Sequence, residues 1–221
     1  MISSLVCLSA LALVQTKPVI CLDPGHPSEN GVGARGKSIT ELQLVWNVAI
    51  LAKPMLEREG YKVVLTKQSR DEKVTNRRRA EIGNKAKAAL MVRLHADAGS
   101  HSGFASFYPD RQGKVGEKSG PSRAVIDASK RLGPIFHAAA AEVLKGDLKN
   151  LGAKSDTKTL IGGKQGALTG SIYSDVPVVL VELCVLQNAH DNKFAASKAG
   201  QDKFAKAIVS GVKAAIPIQT R

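Results

Sequence analysis

Three apolar runs in this chain each lead to a residue that can bind a metal or move a proton. His26 follows the run 19–22 across a tight turn, His95 closes the run 89–94, and Glu182 lies inside the run 178–183. Two histidines and one carboxylate leave a tetrahedral Zn²⁺ with an open position for water, as in catalytic rather than structural zinc sites. A further carboxylate that does not bind the metal can accept and return protons. These residue types therefore indicate metal-assisted hydrolysis.

Glu41 supplies the additional carboxylate, at the start of a predicted helix. An acidic residue at that point is also favoured by the helix dipole alone. Glu182 is different, because a carboxylate within Val-Val-Leu-Val-Glu-Leu is expected to be buried, and burial without a role costs free energy. His137 lies within a predicted helix, and His101 and His190 lie in polar loops, so these three are weaker ligand candidates. From the residues alone, a metal hydrolase and a purely structural use of these side chains both remain open.

The elements that must position these residues alternate between apolar runs and amphipathic stretches. This alternation predicts βαβ units, and hence a single α/β domain with a mainly parallel twisted sheet of about six strands and helices on both faces. Strand carboxyl ends and helix starts face the same rim of such a sheet, so the four side chains could converge there. The predicted strands are 18–22, 61–66, 89–95, 104–108 and 178–183, and the predicted helices are 41–59, 72–87, 128–144 and 201–215.

The helix after the first strand carries the clearest local signals. Thr40 is a suitable N-cap, Pro54 is expected to kink or shorten the helix, and Gly60 is expected to end it. The helical spacing predicts one buried face, formed by Leu42, Trp46, Ala49 and Ile50. The polar stretch 109–127 is predicted to be a loop, either a plain surface insertion or a lid, and no regular element is predicted for the Lys- and Gly-rich section 145–169.

The composition restricts the class of protein. With 221 residues the chain is long enough for one well-buried domain. Lys and Arg number 32 against 19 Asp and Glu, and the net charge of +13 indicates an anionic partner or an ordinary solvated cationic surface. No base-reading motif or aromatic stacking platform supports nucleic acid as that partner. The cysteines, at positions 7, 21 and 184, form no CxxC motif; buried inert thiols are expected, and a Cys21–Cys184 bond remains open.

The first 14 residues are almost wholly apolar or small. They are too few to span a membrane and resemble the core of a secretory signal, with Ala10-Leu11-Ala12 as a cleavage site. No Lys or Arg precedes the apolar run, so a first strand or a truncated leader is the alternative. We assign residues 1–16 to a leader and 17–221 to the folded domain. No later stretch of the sequence is long enough to be transmembrane.

Five short motifs then give a resemblance to a known family. In order they are Leu-Asp-Pro-Gly-His at 22–26, Thr-Glu-Leu at 40–42, Arg-Ala-Glu-Ile-Gly-Asn at 79–84, Arg-Leu-His-Ala-Asp-Ala at 93–98, and Leu-Val-Glu-Leu at 180–183 continuing to Asn188. Together they resemble the zinc-dependent N-acetylmuramoyl-L-alanine amidases of cell separation and sporulation. The resemblance covers about residues 18–216, and although each motif is weak alone, five in this order and spacing are specific.

The resemblance implies a function and a set of roles. It implies hydrolysis of the amide between the lactyl group of N-acetylmuramic acid and L-alanine of the stem peptide in peptidoglycan, by residues 17–221 as a catalytic domain. Five residues depart from the family pattern near the expected groove, and none of them is a metal ligand: Pro27, Lys67, Asp97, Cys184 and Val185. The implied zinc ligands are His26, Glu41 and His95, the implied acid/base is Glu182, and the implied substrate-binding residues are Asp97, Asn188 and Arg79.

The resemblance also implies partners and a location. We expect peptidoglycan as the partner, not nucleic acid, in a monomer that is not an integral membrane protein and acts in the periplasm or at the extracellular cell wall. Whether an activator protein exists stays open. The rival enzyme is a zinc peptidase or carboxypeptidase that cuts within the stem peptide. A catalytically silent wall-binding module would be expected to lack a ligand or the glutamate, and this sequence lacks neither.

Overall fold

The computed structural model describes residues 16–218, which form sixteen elements. The predicted leader, residues 1–16, lies almost wholly outside this range. The strands are β1 Val19–Pro24, β2 Lys62–Leu65, β3 Leu90–Asp97, β4 Phe104–Tyr108, β5 Gly113–Val115, β6 Lys118–Gly120, β7 Asn150–Ser155 and β8 Val178–Val185. The helices are α1 Glu41–Arg58, α2 Asn76–Lys85, α3 Arg123–Leu144, α4 Leu160–Gln165, α5 Thr169–Ile172, α6 Ala189–Ala196 and α7 Lys198–Ala215, with a 3-10 turn at Asp156–Lys158.

Six of the strands form one sheet in the order β2-β1-β3-β8-β4-β7. β2, β1, β3 and β8 pair in parallel, β4 pairs antiparallel with β8, and β7 pairs in parallel with β4. The predicted α/β class with a mainly parallel six-stranded sheet is therefore confirmed. The three central strands β1, β3 and β8 all point their carboxyl ends to the same rim, which is the rim where we expect chemistry.

The core lies on both faces of this sheet because successive residues of a strand point to opposite sides. The larger cluster includes Ile20, Leu22 and Val92 and packs under α1, α3 and α7. A smaller cluster on the other face contains Cys21, Met91 and Val178, and α2 and α5 pack against each other beside it. Helices thus cover both faces, as predicted.

The α1 helix begins as predicted but buries a different face. Thr40 accepts a hydrogen bond from the Gln43 amide, and the Gln43 side chain accepts one from the Thr40 amide, so a capping box fixes the first turn. The helix runs through Pro54 to Arg58, and Gly60 follows in the left-handed conformation with φ +98°. Of the four predicted residues only Ala49 is fully buried: Ile50 is 42% exposed, and Leu42 and Trp46 are only partly buried. The buried apolar residues are Leu44, Val45, Val48, Ala49, Ala52 and Leu56.

Other differences lie where the sequence is polar. The stretch 109–127 contains the hairpin β5–β6 and the first turn of α3, which starts at Arg123 behind a Ser122 cap rather than at 128. The section 145–169 contains β7, which pairs at the sheet edge with few buried residues, so it carries no apolar signal. Cys21 and Cys184 are free, buried and in different core clusters, which excludes a bond between them. Within residues 16–218, no helix is long and apolar enough to cross a membrane.

Candidate active site

The predicted metal ligands converge at the carboxyl-end rim of the sheet. His26 follows β1, His95 lies near the end of β3, and Glu41 is the first residue of α1. Glu41 Oε1 lies 3.3 Å from His26 Nε2 and 2.9 Å from His95 Nδ1. Two ligand atoms about 2.0–2.1 Å from a tetrahedral zinc ion are about 3.3 Å apart, so these separations are close to those that a shared ion requires.

Backbone groups hold the ligands in place. Glu41 Oε2 accepts a hydrogen bond of 2.7 Å from the Ala34 amide, and Oε1 accepts one of 3.1 Å from the Ala96 amide. His26 Nδ1 lies 3.1 Å from the Gly31 carbonyl oxygen, and a hydrogen bond donated there leaves the Nε2 lone pair for a metal. The backbone of Gly33, at φ +87°, lies against the Glu41 carboxylate: a Cβ on residue 33 would lie only 2.6 Å from Glu41 Oε2.

The electrostatics of the cluster favour an ionised carboxylate. Burial opposes the charge of Glu41, but the hydrogen bonds and charges of His26 and His95 outweigh it and hold its pKa well below the usual range. Burial also opposes the charge of His26, yet Glu41 raises the pKa of that imidazole. Burial lowers the pKa of His95, whose Nε2 is buried and has no hydrogen-bond partner among the described residues. A neutral His95 beside an ionised Glu41 is the protonation state in which a metal is bound.

The backbone of His26 is held in an unusual conformation. His26 has φ +53°, in the left-handed region that a non-glycine residue rarely adopts. The carbonyl oxygen of His26 accepts hydrogen bonds from Lys67 Nζ and from Arg79 Nη2, the latter at 3.2 Å. Arg79 Nη2 also donates to the carbonyl of Pro27 at 3.2 Å. Two cationic side chains thus clamp the turn that aims the imidazole, and burial lowers the pKa of Lys67 to about 8.

Glu182 faces the cluster from the neighbouring strand. It is the register partner of His95 in the parallel pair β3–β8, and adjacent strands lie about 4.8 Å apart. Its Oε2 is buried without a hydrogen-bond partner in the described part of the chain. Burial, the charge of Glu41 and the charge of Asp97, in that order, raise the pKa of Glu182 well above its usual range. The raised pKa favours the protonated carboxyl group, which is the form that a general acid needs.

A cavity of about 260 Å³ opens beside these residues. His26, His95 and Glu182 line it, with Glu41 buried behind them. One wall is the segment around α4 and α5, where Leu160 is 73% exposed. The remaining lining residues are Gly25, Ser28, Asn30, Asn76, Arg79, Arg93, Thr159, Ile161, Leu168, Thr169 and Leu180.

The three predicted substrate-binding residues lie in different settings. Arg79 lines the cavity but is only 1% exposed. Asp97 lies at the rim, 42% exposed, with its Oδ2 3.2 Å from His101 Nε2. The Asn188 side chain caps α6 by accepting hydrogen bonds from the His190 and Asp191 amides. Asp97 and Asn188 are not among the residues that line the cavity. Of the predicted site residues, the structure therefore brings together the three ligands, Glu182 and Arg79.

A buried ion cluster lies beneath the ligands. Asp23 is completely buried; Arg79 Nη1 donates to one of its oxygens at 2.6 Å and Arg93 Nε to the other at 2.9 Å. Burial opposes the charge of Asp23, but the two arginines hold its pKa well below the usual range. The Thr66 hydroxyl also donates to Asp23. This cluster ties β1, β2, β3 and α2 together directly below the turn that carries His26.

Sequence reasoning missed Arg93 as a residue of the site. Arg93 is 3% exposed and lies inside the apolar run Leu90–Asp97. Like Glu182, Arg93 is a charged residue within a run that should be buried, so the sequence carries the same signal at both positions. The wall around Leu160 gave no such signal, because only the fold brings that segment next to the ligands.

The sequence matches one protein family over residues 20–214, described as N-acetylmuramoyl-L-alanine amidase, Amidase_3. The match covers most of the chain, including all three candidate ligands and Glu182. The chain belongs to this amidase family. The family resemblance inferred from the five motifs is therefore confirmed.

Two relatives of this amidase-family chain are amidases named AmiC. The chain is 26% identical over 222 residues to N-acetylmuramoyl-L-alanine amidase AmiC of Neisseria meningitidis serogroup B and 25% identical over 218 residues to AmiC of Escherichia coli O6:H1. Each alignment covers 89% of this chain and 52% of the relative. The chain thus spans about half the length of the curated relatives that it matches.

Solved amidase structures share the fold. The apo form of Ami1 from Mycobacterium abscessus superposes with a TM-score of 0.74 at 23% identity, covering 90% of this chain and 98% of that one. The catalytic domain of CwlV from Bacillus (Paenibacillus) polymyxa var. colistinus gives a TM-score of 0.70 at 21% identity, covering 89% and 96%. At these identities the likeness establishes the architecture of the amidase-family domain, and the chemistry must be argued from the site.

Proposed function

We propose that this chain is a zinc-dependent amidase that cleaves the bond between N-acetylmuramic acid and L-alanine in peptidoglycan. The observation that carries the proposal is that a candidate metal site and a candidate proton-transfer residue lie side by side, on neighbouring strands. Ligand atoms of two histidines and a glutamate lie within 4.8 Å of one another, and the half-buried Glu182, whose Oε2 is buried without a partner, stands beside them. Family membership supplies the substrate class.

The donor set fits zinc. One atom each from His26, Glu41 and His95 lies within 4.8 Å of the others, and imidazole with carboxylate is a ligand set that zinc accepts. Three protein ligands leave a position open, as catalytic zinc requires. When bound there, zinc would polarise the amide carbonyl and make a water acidic enough to attack near neutral pH.

Glu182 would move the proton. The attacking water loses a proton to the Glu182 carboxylate while its oxygen bonds to the amide carbon. When the C–N bond breaks, Glu182 returns that proton to the departing alanine nitrogen, so that the proton count balances. The buried, unpartnered Oε2 and the raised pKa of Glu182 support this double role, because they favour the protonated form needed in the second step.

The rim residues supply the remaining proposed contacts. We propose Asp97 and Asn188 as substrate contacts at the rim, where the Asp97–His101 pair is exposed. Arg79 stays a proposed substrate-site residue in that it lines the cavity, and its hydrogen bonds to His26 and Pro27 also make it a positioning residue for the metal-binding turn.

The remaining proposals concern location and partners. A peptidoglycan amidase acts outside the cytoplasm, so we propose the periplasm or cell wall as the place of action, reached through a cleaved leader at residues 1–16. The net charge of +13 would attract the chain to an anionic wall. Wall binding should then weaken as salt rises, and binding indifferent to salt would contradict this. One structural relative, the CwlD amidase of Clostridioides difficile, was solved in complex with the GerS lipoprotein, so we leave open a protein partner here too, with the chain itself a monomer.

Product analysis tests the function. Purified peptidoglycan digested with the zinc-loaded chain should release intact stem peptides with a free L-alanine amine, identified by mass spectrometry. Shortened peptides still attached to muramic acid would instead establish the rival zinc peptidase. In the same preparation we expect one zinc per chain.

Two variants separate the proposed roles. Glu182→Ala should keep its zinc and lose most turnover, whereas His95→Ala should lose zinc affinity itself. His190→Ala is a matched control, since that side chain is exposed and is not part of the ligand cluster. Full activity in Glu182→Ala would refute the proton-transfer role.

A further inference from the structure

Two buried arginines line the active-site cavity and share one buried carboxylate. Arg79 and Arg93 are each no more than 3% exposed, and Asp23 is the fully buried carboxylate that accepts hydrogen bonds from both. Glu29 is exposed and accepts hydrogen bonds from Asn76. Buried charges are normally paired, so two arginines that share one carboxylate would stabilise a second anion beside them.

The two arginines differ in how completely their donors are used. Every nitrogen of Arg79 donates a hydrogen bond within the fold. Arg93 donates from Nε to Asp23 and from Nη2 to Asn76, but Nη1 has no acceptor among residues 16–218. The absence of a side chain at Gly170 leaves space beside Arg93 Nη1, because a Cβ on residue 170 would lie 2.2 Å from this atom. The free donor belongs to a side chain that is 97% buried and lines the cavity.

The position of Arg93 relates this donor to the scissile bond. Arg93 precedes His95 by two residues on β3, so both side chains project from the same face with Cα atoms about 7 Å apart. That is the length of about two residues of extended peptide. An anionic group that reaches Arg93 would therefore lie one or two residues from an amide held at the metal ligands.

The chemistry of the proposed substrate identifies the side that can reach Arg93. Arg79 and Arg93 line the cavity together with the segment that carries Leu160 and Thr169. The lactyl carboxyl group of muramic acid is part of the scissile amide, so the free carboxylates of the substrate lie on its peptide.

We propose that Arg93 is a specificity-determining residue that binds a carboxylate on the peptide side of the scissile amide. This inference rests on the amidase function proposed above. A guanidinium with a free N–H is well suited to a carboxylate, because charge-assisted hydrogen bonds are about twice as strong as neutral ones. The carboxylate is either the side chain of an acidic residue that follows L-alanine or the terminal carboxylate of a short peptide.

Matched substrates distinguish these two sources. Muramoyl-L-alanyl-glutamate is compared with the same molecule amidated at the glutamate side chain and with the molecule amidated at the peptide terminus. For the zinc-loaded chain, amidation of the recognised carboxylate should raise KM by about 10- to 100-fold and leave kcat nearly unchanged. Equal KM values for all three substrates would overturn the proposal.

Variants assign the effect to Arg93. Arg93→Gln should hydrolyse the three substrates with similar KM values, and Arg93→Lys should keep part of the discrimination. Arg131→Gln removes the same charge from an exposed position of α3 and should behave like the parent chain. Discrimination that persists in Arg93→Gln would refute the role of this side chain. If Arg93→Gln fails to fold, Arg93→Lys decides: unaltered discrimination between charged and amidated substrates in a variant without the forked guanidinium would refute the proposal.

A binding measurement keeps this inference separate from the proposed function. The metal-free chain is titrated calorimetrically with L-alanyl-glutamate and with its two amides, which requires no turnover. Tighter binding of the charged dipeptide by the parent chain than by Arg93→Gln supports the subsite even if no muramoyl substrate is cleaved. Absence of cleavage alone would refute the amidase function, and equal binding of charged and amidated dipeptides would refute the subsite.

Discussion

The unpartnered carboxyl group of Glu182 predicts that replacing it stabilises the chain while removing its activity. Among the described residues, the Glu182 Oε2 atom has no hydrogen-bond partner and no access to water. A buried polar group without a partner costs about 1–3 kcal/mol. Glu182→Met fills a similar volume without a polar atom and should recover about that amount. Glu182→Gln removes the charge but keeps a polar amide, so its gain should be smaller.

The activity should change in the opposite direction. General acid–base catalysis contributes about 10²- to 10⁴-fold, so both variants should lose turnover by a factor in this range. Zinc content should stay at the parental value, because Glu182 is outside the His26–Glu41–His95 cluster.

Urea unfolding of the metal-free chain gives the free energies, and scanning calorimetry gives the midpoints. For a domain of this size, 1 kcal/mol shifts the midpoint by about 2–4 °C. Because the native state raises the pKa of Glu182, it binds the proton more tightly than the unfolded chain does. The parent should therefore lose stability relative to both variants as the pH rises above the ordinary range of a glutamate.

Glu142→Gln is the matched control, since that carboxylate is 73% exposed on α3 and its replacement should change stability by no more than about 0.5 kcal/mol. Unfolding of Glu182→Met and Glu182→Gln at a lower urea concentration than the parent would contradict this prediction, because the carboxylate would then have a stabilising partner. Full turnover in either variant would also contradict it, because Glu182 would then not carry the proton.

Three further predictions address the support of the site. Asp23→Asn leaves the two buried arginines without a countercharge and should lower the free energy of unfolding by about 3–5 kcal/mol; a urea midpoint unchanged from the parent would contradict the ion cluster. Burial raises the pKa of Asp156 from 3.8 to about 6, so the native state holds a proton that the unfolded chain releases. Parental stability relative to Asp156→Asn should therefore fall by about 3 kcal/mol as the pH rises from about 3 to about 7, and urea titrations that run parallel across this interval would disprove it. Gly33→Ala places a Cβ 2.6 Å from Glu41 Oε2 at a positive φ and should weaken zinc affinity about 10- to 100-fold in a competitive chelator titration, with parental affinity as the contrary result.

The parallel architecture could be predicted because strands buried on both faces leave continuous apolar runs in the sequence. β1, β3 and β8 are such strands, and their runs were located within about two residues. The edge strand β7 was missed, since a strand with few buried residues has no such run. The face of α1 was misjudged for a related reason: helical spacing shows that apolar residues recur, but several stripes of α1 are apolar, and only the position of the sheet decides which one is buried.

The candidate site divides in the same way. His26, His95 and Glu182 could be found because each breaks or ends an apolar run, and the identity of the ligand set follows from residue type. Arg93 was equally visible as a charge within a run, yet its role depends on how many of its donors the fold satisfies. The number of satisfied donors cannot be read from residue spacing, since the acceptors come from β1 and α2, which are distant from Arg93 in the sequence.

The sequence by itself determined the chemical inventory of this chain: two imidazoles, two carboxylates, five ordered motifs and a cationic surface. Local pattern carries this information because burial and turn geometry restrict which residues can stand at strand ends. Only the tertiary structure decided that the ligand atoms meet within 4.8 Å, that Glu182 Oε2 stands beside them without a partner, and that Arg93 lines the same cavity. Convergence, burial and unsatisfied donors are properties of several elements packed together, and they are fixed by contacts between residues that lie far apart along the chain.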